Sequence, residues 1–286
     1  MKRDTVFHIV LVSIILVLSG VVFYFVSLYY SVEDTFRNSF LSGLGIFNPE
    51  FTLHDTSKGE IPVPGALHVP ILIYHSVKPH QPGETSLLKR YIVEPSSFEK
   101  QLRFFKENNY TVIGLDYLAE ALDQTILLPP KSIVLTFDDG WNNQYAYAFP
   151  LLKQYGYTAT FFIYTNAIDH KGFLTWQQVK EMDSAGMTIG GHTKSHPYLK
   201  QVTDTALLED EIIGGKRVLE DHLGNSITLF AYPFGYYNDT IIGIVKKAGY
   251  KTARSTYKGT YHTLQDLYKL KGIEASDDLD KLIKEL

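Results

Sequence analysis

Ser132-Ile133-Val134-Leu135-Thr136-Phe137-Asp138-Asp139-Gly140 is the stretch on which the reading of this chain turns. Its uncharged first part, rich in β-branched and aromatic side chains, describes a strand buried on both faces. Two adjacent carboxylates and a glycine then end it. Asp-Gly after a strand is an ordinary turn signal. Two Asp at the end of a buried strand are nevertheless costly unless a cation or hydrogen bonds compensate them. A divalent metal does so directly, with one Asp as ligand and its neighbour as general base.

Outward from this strand, short apolar runs alternate with amphipathic stretches. Strands are expected at 69–74, 111–115, 157–164, 187–190, 228–232, 250–255 and 267–273. Helices are expected from a cap at Ser96 or Ser97 to about 108, and over 116–122, 143–155, 175–185, 203–223, 239–248 and 277–285. No repeat of roughly 20–50 residues suggests a solenoid. No Gly-rich phosphate loop follows the first strand, so a nucleotide-binding sheet is unsupported. A parallel barrel of strands with outer helices fits this alternation, and in such barrels the chemistry sits at the C-terminal strand ends.

Two further strand ends bear on chemistry. Gly190-Gly191-His192-Thr193-Lys194-Ser195-His196-Pro197 carries two histidines four apart, in a stretch whose glycines and proline argue for a loop. Phe230-Ala231-Tyr232-Pro233-Phe234-Gly235 runs from a strand into a Pro-aromatic-Gly turn. Two His and one Asp, with positions left open for water and substrate, make a donor set suited to a hydrolytic metal. The chain has no Cys, which excludes disulfides, thiolate metal sites and cysteine nucleophiles. A net charge of −4 gives no electrostatic case for nucleic acid. The 20 Tyr and 17 Phe suit either of two readings, a thick aromatic core or a surface whose rings stack on sugar faces.

The N-terminus bears on location. Residues 6–30, VFHIVLVSIILVLSGVVFYFVSLYY, contain no Asp, Glu, Lys or Arg and are long enough to cross a bilayer core of roughly 30 Å. Lys2 and Arg3 precede the run, and Glu33 and Asp34 follow it, which orients the N-terminus to the cytoplasm. The expected organisation is a cytoplasmic tip and membrane anchor at 1–30, an extracytoplasmic stalk at 31–68 and a catalytic domain at 69–286. The protein is thus expected at the cell membrane, catalytic domain outside.

T-F-D-D-G at 136–140 and H-T-K-S-H at 192–196 together resemble the polysaccharide deacetylase family, the NodB-homology domains of carbohydrate esterase family 4, over roughly residues 69–275. The resemblance implies a distorted parallel (β/α) barrel of about seven strands. It implies Asp139, His192 and His196 as metal ligands and Asp138 as base. The implied cofactor is a divalent metal, Zn2+ foremost, with Co2+, Ni2+ or Fe2+ as alternatives. The implied substrate is an N-acetylglucosamine polymer such as poly-N-acetylglucosamine, peptidoglycan or a chitin oligomer. Many family members place an Arg before the Pro-aromatic-Gly turn, where this chain has Ala231. The late Leu-x-His that supplies the family's general acid is absent as well, and Leu270-Lys271-Gly272-Ile273 stands near its place. The 230–235 form, with Tyr74-His75, resembles the subgroup that includes poly-N-acetylglucosamine deacetylases. His75 is the expected substitute acid, and Trp141, Tyr232, Pro233 and Phe234 are the expected sugar contacts. The competing readings are an O-acetyl esterase using the same site and a catalytically silent carbohydrate-binding protein.

Overall fold

The apolar runs become short parallel strands: β1 (Ile71–Tyr74), β2 (Thr111–Ile113), β3 (Ser132–Phe137), β4 (Thr160–Ile163), β5 (Thr188–Gly191), β6 (Leu229–Ala231), β7 (Thr252–Lys258) and β8 (Leu270–Glu274). The computed structural model describes residues 65–286; the apolar run at 6–30 and the stalk up to residue 64 lie outside the described residues. Neighbours follow the order β1-β8-β7-β6-β5-β4-β3, and β1 also pairs with β3, Ile71 opposite Val134 and Tyr74 opposite Phe137. That pairing closes a seven-membered parallel barrel. The remaining strand, β2, stands outside the ring. It takes the first half of β3 (Thr111 opposite Ser132, Ile113 opposite Val134), and β4 takes the second half of the same edge.

The period-two alternation of strand side chains explains two cores. Ile71, Val134, Phe162, Leu229, Ala231 and Leu270 form one apolar cluster with Leu115, Leu118 and Leu122, filling the ring. The alternate positions, among them Leu72, Leu135, Phe137, Phe161, Phe230 and Tyr232, belong to the larger layer between strands and helices. Fully burying one such side chain contributes roughly 1.5–3 kcal/mol.

Beyond a single turn at Ser86–Lys89, the helices among the described residues are α1 (Pro95–Glu107), α2 (Leu115–Leu122), α3 (Phe149–Tyr155), α4 (Trp176–Ser184), α5 (residues 205–223), α6 (Asp239–Lys247) and α7 (Leu279–Glu285). The apolar stripe of α1, Phe98, Leu102 and Phe105, is buried as its spacing requires. Its start differs from the sequence expectation: Glu94, not Ser96 or Ser97, holds the cap position, and Pro95 follows. Proline's fixed φ suits the first helical turn, so the helix begins there. Thr175 caps α4 through a reciprocal pair with Gln178. One π-helical turn, Gln144–Ala148, leads into α3, and another, Asp210–Gly214, interrupts α5.

Leu67–His68 pair antiparallel with Tyr261–His262, so strand pairing begins two residues ahead of the sequence boundary at 69. Among the described residues, no helix is long and apolar enough to cross a membrane.

Candidate active site

The C-terminal ends of the barrel strands bring Asp139, His192 and His196 together. Asp139 follows β3, and both histidines follow β5. Asp139 Oδ1 lies 3.6 Å from His192 Nε2 and 3.3 Å from His196 Nε2. One donor atom from each side chain fits within 4.8 Å. Such spacings suit a shared ion held by bonds of about 2.0–2.2 Å. The donor chemistry fits too. His192 Nδ1 donates to the carbonyl of Ala231 at 2.7 Å, which fixes the tautomer and leaves the Nε2 lone pair directed at the cluster. Burial, then repulsion from His192, pushes His196 down to about 4 against the pull of Asp139 and Asp138, so its imidazole is neutral and able to ligate. Burial would raise the Asp139 carboxyl. The His192 contact and the pull of the His75, His192 and His196 rings when protonated outweigh it and hold Asp139 well below the usual carboxylate range. Trp141 Nε1 donates to the other oxygen, Asp139 Oδ2, at 3.0 Å.

The backbone around this cluster is strained. Asp139, Thr193, His196 and Phe234 all have positive φ, between 57° and 75°. Such conformations cost about 1–3 kcal/mol each and persist only where surrounding structure holds them.

Asp138, 2 % exposed, lies beside the cluster. A fully buried arginine, Arg254 on β7, forms a hydrogen-bonded ion pair with Asp138 Oδ1. Its guanidinium also sits over the Phe162 ring, 5.2 Å from the centroid. Arg254 is one of the residues that sequence reasoning missed. It stands directly across from Ala231 in the β6–β7 register, so the guanidinium absent from the turn strand enters from its neighbour. The available signal was a lone Arg inside the buried run Thr252-Ala253-Arg254-Ser255, since a buried charge requires a partner.

His75, just beyond β1, stands between two carboxylates. Its Nε2 is 4.0 Å from Asp138 Oδ2, and its Nδ1 is 3.6 Å from Glu274 Oε2 at the end of β8. Glu274 was also missed by the sequence reading; nothing in Leu270–Glu274 marks it until β8 is laid against β1. Gln144, fully buried on its π-helical turn, donates from Nε2 to the carbonyls of both His75 (2.6 Å) and Asp138 (2.5 Å).

A cleft of about 800 Å³ opens over these groups. Trp141 and Phe234 line it, together with Tyr91, Tyr198 and Tyr236. Trp141 stacks on Phe173 at 4.4 Å, and Phe234 on Tyr198 at 3.8 Å. The expected contacts Tyr232 and Pro233 are corrected: neither lines the cleft. Alternation along β6 turns Phe230 and Tyr232 outward beneath the helices, where the Tyr232 hydroxyl donates to the Tyr268 carbonyl at 2.9 Å. Pro233 is buried.

The chain matches known proteins along this framework. Residues 127–253 match the polysaccharide deacetylase family model. The Bacillus subtilis (strain 168) protein named "Putative polysaccharide deacetylase YxkH" is 31% identical over 208 residues, covering 73% of this chain and 71% of that protein. The poly-beta-1,6-N-acetyl-D-glucosamine N-deacetylase of Staphylococcus aureus is 26% identical over 212 residues, 69% of this chain and 72% of its own. The structure of the Streptococcus pyogenes deacetylase PplD in complex with acetate superposes with a TM-score of 0.71 at 30% identity, covering 77% of this chain and 98% of that one. A seven-stranded barrel, an Asp–His–His cluster at its strand ends and this likeness over most of the chain lead to one assignment: the chain belongs to the polysaccharide deacetylase family, hydrolases that remove acetyl groups from glycans.

Proposed function

We propose that this deacetylase hydrolyses N-acetyl groups on an N-acetylglucosamine polymer at the cell surface, with a divalent metal, Zn2+ foremost, held by Asp139, His192 and His196. The observation that carries the reading is the convergence of those three donors beside a buried Asp138 fixed by Arg254. When bound, the metal supplies Lewis-acid polarisation and a water of lowered pKa. Asp138 takes the proton of the attacking water, and its bond to Arg254 keeps the accepting oxygen in place. His75 hands a proton to the departing amine, with Glu274 beside its Nδ1. Trp141, Phe234 and Tyr198 stack against the pyranose rings and orient the acetamide.

Among polymers, the likeness to a poly-beta-1,6-N-acetyl-D-glucosamine deacetylase over most of the chain favours a β-1,6-linked substrate. Peptidoglycan and chitin oligomers are the alternatives. The apolar run at 6–30 supports an anchor that leaves the catalytic domain outside the membrane. Arg254 weakens the case for a silent binding protein, since the guanidinium missing at Ala231 is supplied from the adjacent strand.

Acetate release from β-1,6- and β-1,4-linked N-acetylglucosamine oligomers, peptidoglycan and acetylated xylan, with and without chelator, tests the proposal. The expected result is chelator-sensitive release, greatest from the β-1,6 oligomer and lost in Asp138→Asn and His192→Ala. Release from xylan alone indicates an O-acetyl esterase. Undiminished turnover in either variant removes the role given to that residue.

A further inference from the structure

His192 is fixed by β5 and by the Ala231 carbonyl, but His196 is not. It lies four residues on, in a loop whose Thr193 and His196 both adopt left-handed backbone, with φ of 71° and 59°. For Thr193, with its branched Cβ, this conformation is particularly unfavourable. Three contacts hold the loop on its other side: Thr165 N donates to Thr193 O at 3.2 Å, Asn166 N to Lys194 O at 2.8 Å, and His196 N to Thr193 Oγ1 at 3.0 Å. None of them engages the amides of Lys194 and Ser195.

The outward side is held by one carboxylate. Glu211 Oε2 accepts from Lys194 N at 3.0 Å and Ser195 N at 2.9 Å, and its Oε1 accepts from Ser195 Oγ at 2.5 Å. Two successive amides converging on one anion form a backbone nest, a concavity that exists only while the loop keeps its turned conformation. The helix is shaped to deliver this carboxylate. Glu211 falls in the π-helical turn of α5, a distortion often found where a helix must place a group off its regular stripe. One turn on, Gly215 lets α5 approach to backbone contact: a Cβ there would meet Thr193 C at 2.8 Å and Thr193 O at 2.9 Å. The neighbouring Lys194–Asp210 pair is exposed and contributes little.

We infer that Glu211 is a positioning residue for the metal centre: its carboxylate, filling the nest at residues 194–195, holds the loop in the form that aims His196 at Asp139. It touches neither metal nor substrate, and the inference rests on the Asp139–His192–His196 reading of the site. Ion affinity, set against the unfolding midpoint, separates this role from a stability role. A residue that only stabilises the fold alters the unfolding midpoint, whereas Glu211 sets how tightly the ion is held.

The test is Zn2+ affinity of the full chain, measured by competition with a chromophoric chelator, with the apo unfolding midpoint measured alongside. Glu211→Gln is expected to bind Zn2+ about 10–100-fold more weakly, the range typical of groups that orient ligands. Its kcat is expected to recover toward wild type as Zn2+ is raised to saturation. Glu211→Asp should fall between the two. Ser195→Ala, an exposed position that removes one of the three bonds, should lose up to about tenfold and keeps the question open to test if Glu211→Gln does not fold. Wild-type affinity in both Glu211→Gln and Ser195→Ala, with binding lost in His196→Ala, overturns the clamp and leaves the metal site standing. A wild-type chain that binds no Zn2+ overturns the site and the clamp together.

Discussion

The ion pair between Arg254 and Asp138 lies beside the donor cluster, out of reach of solvent. Both groups are buried, so removing one leaves an uncompensated charge, at a cost of about 3–5 kcal/mol. Arg254→Met is therefore expected to lower stability by that amount in urea unfolding and to abolish acetate release, while Arg254→Lys should retain part of each. Because Ala231 and Arg254 face one another across adjacent strands, the double variant Ala231→Arg/Arg254→Ala should recover at least about tenfold of the activity lost in Arg254→Ala. A second outcome concerns pH. Folding depresses His196 from 6.5 to about 4 through burial, so the unfolded chain takes up this proton at higher pH than the folded one. Stability from this group is complete above about 6.5 and is lost as pH falls toward about 4. The metal-free protein should lose up to about 3 kcal/mol over that window, and His196→Asn should flatten the slope. Asp138, Asp139, His192 and His196 were legible because each motif is contiguous in the chain. Arg254 and Glu274 were not, since their meaning depends on cross-strand register, which no local pattern encodes.

Among elements, the π-helical turn at Gln144–Ala148 does the most for the site. It turns Gln144 inward, where one side-chain amide bonds the carbonyls at the ends of both β1 and β3. Gln144→Leu leaves these buried acceptors unmet, and the expected cost is about 1–3 kcal/mol in urea unfolding, with a fall in kcat as His75 and Asp138 lose their shared brace. Strands and helices were readable because apolar periodicity and glycine stops survive in the sequence: α3 ends at Gly156, where φ is 69°. The start of α1 shifted because Pro95 imposes a first turn that a serine only favours. The fate of β2 could not be read. Thr111–Ile113 resembles its fellows, and only the short pairing of β4 with the end of β3 leaves β2 an edge outside the ring.

At the scale of the molecule, an ion held by the Asp139–His192–His196 cluster would couple to folding. The three donors come from two separate segments, so an ion that binds them favours the folded chain by mass action, by about 4 kcal/mol at a thousandfold excess over Kd. Adding Zn2+ should raise Tm and chelation should lower it, with no shift in either direction in Asp139→Ala. Ring closure carries a different consequence. β8, which ends at Glu274, inserts between β1, which leads into His75, and β7, which bears Arg254. The first and last strands of the barrel are thus neighbours, and the groups around Asp138 are scattered along the chain from His75 to Glu274. A ribosome delivers them in order, and a chain stalled before Glu274 owns both halves of the metal cluster without the strand that closes the wall. A chain truncated before β8 is therefore expected to release no acetate.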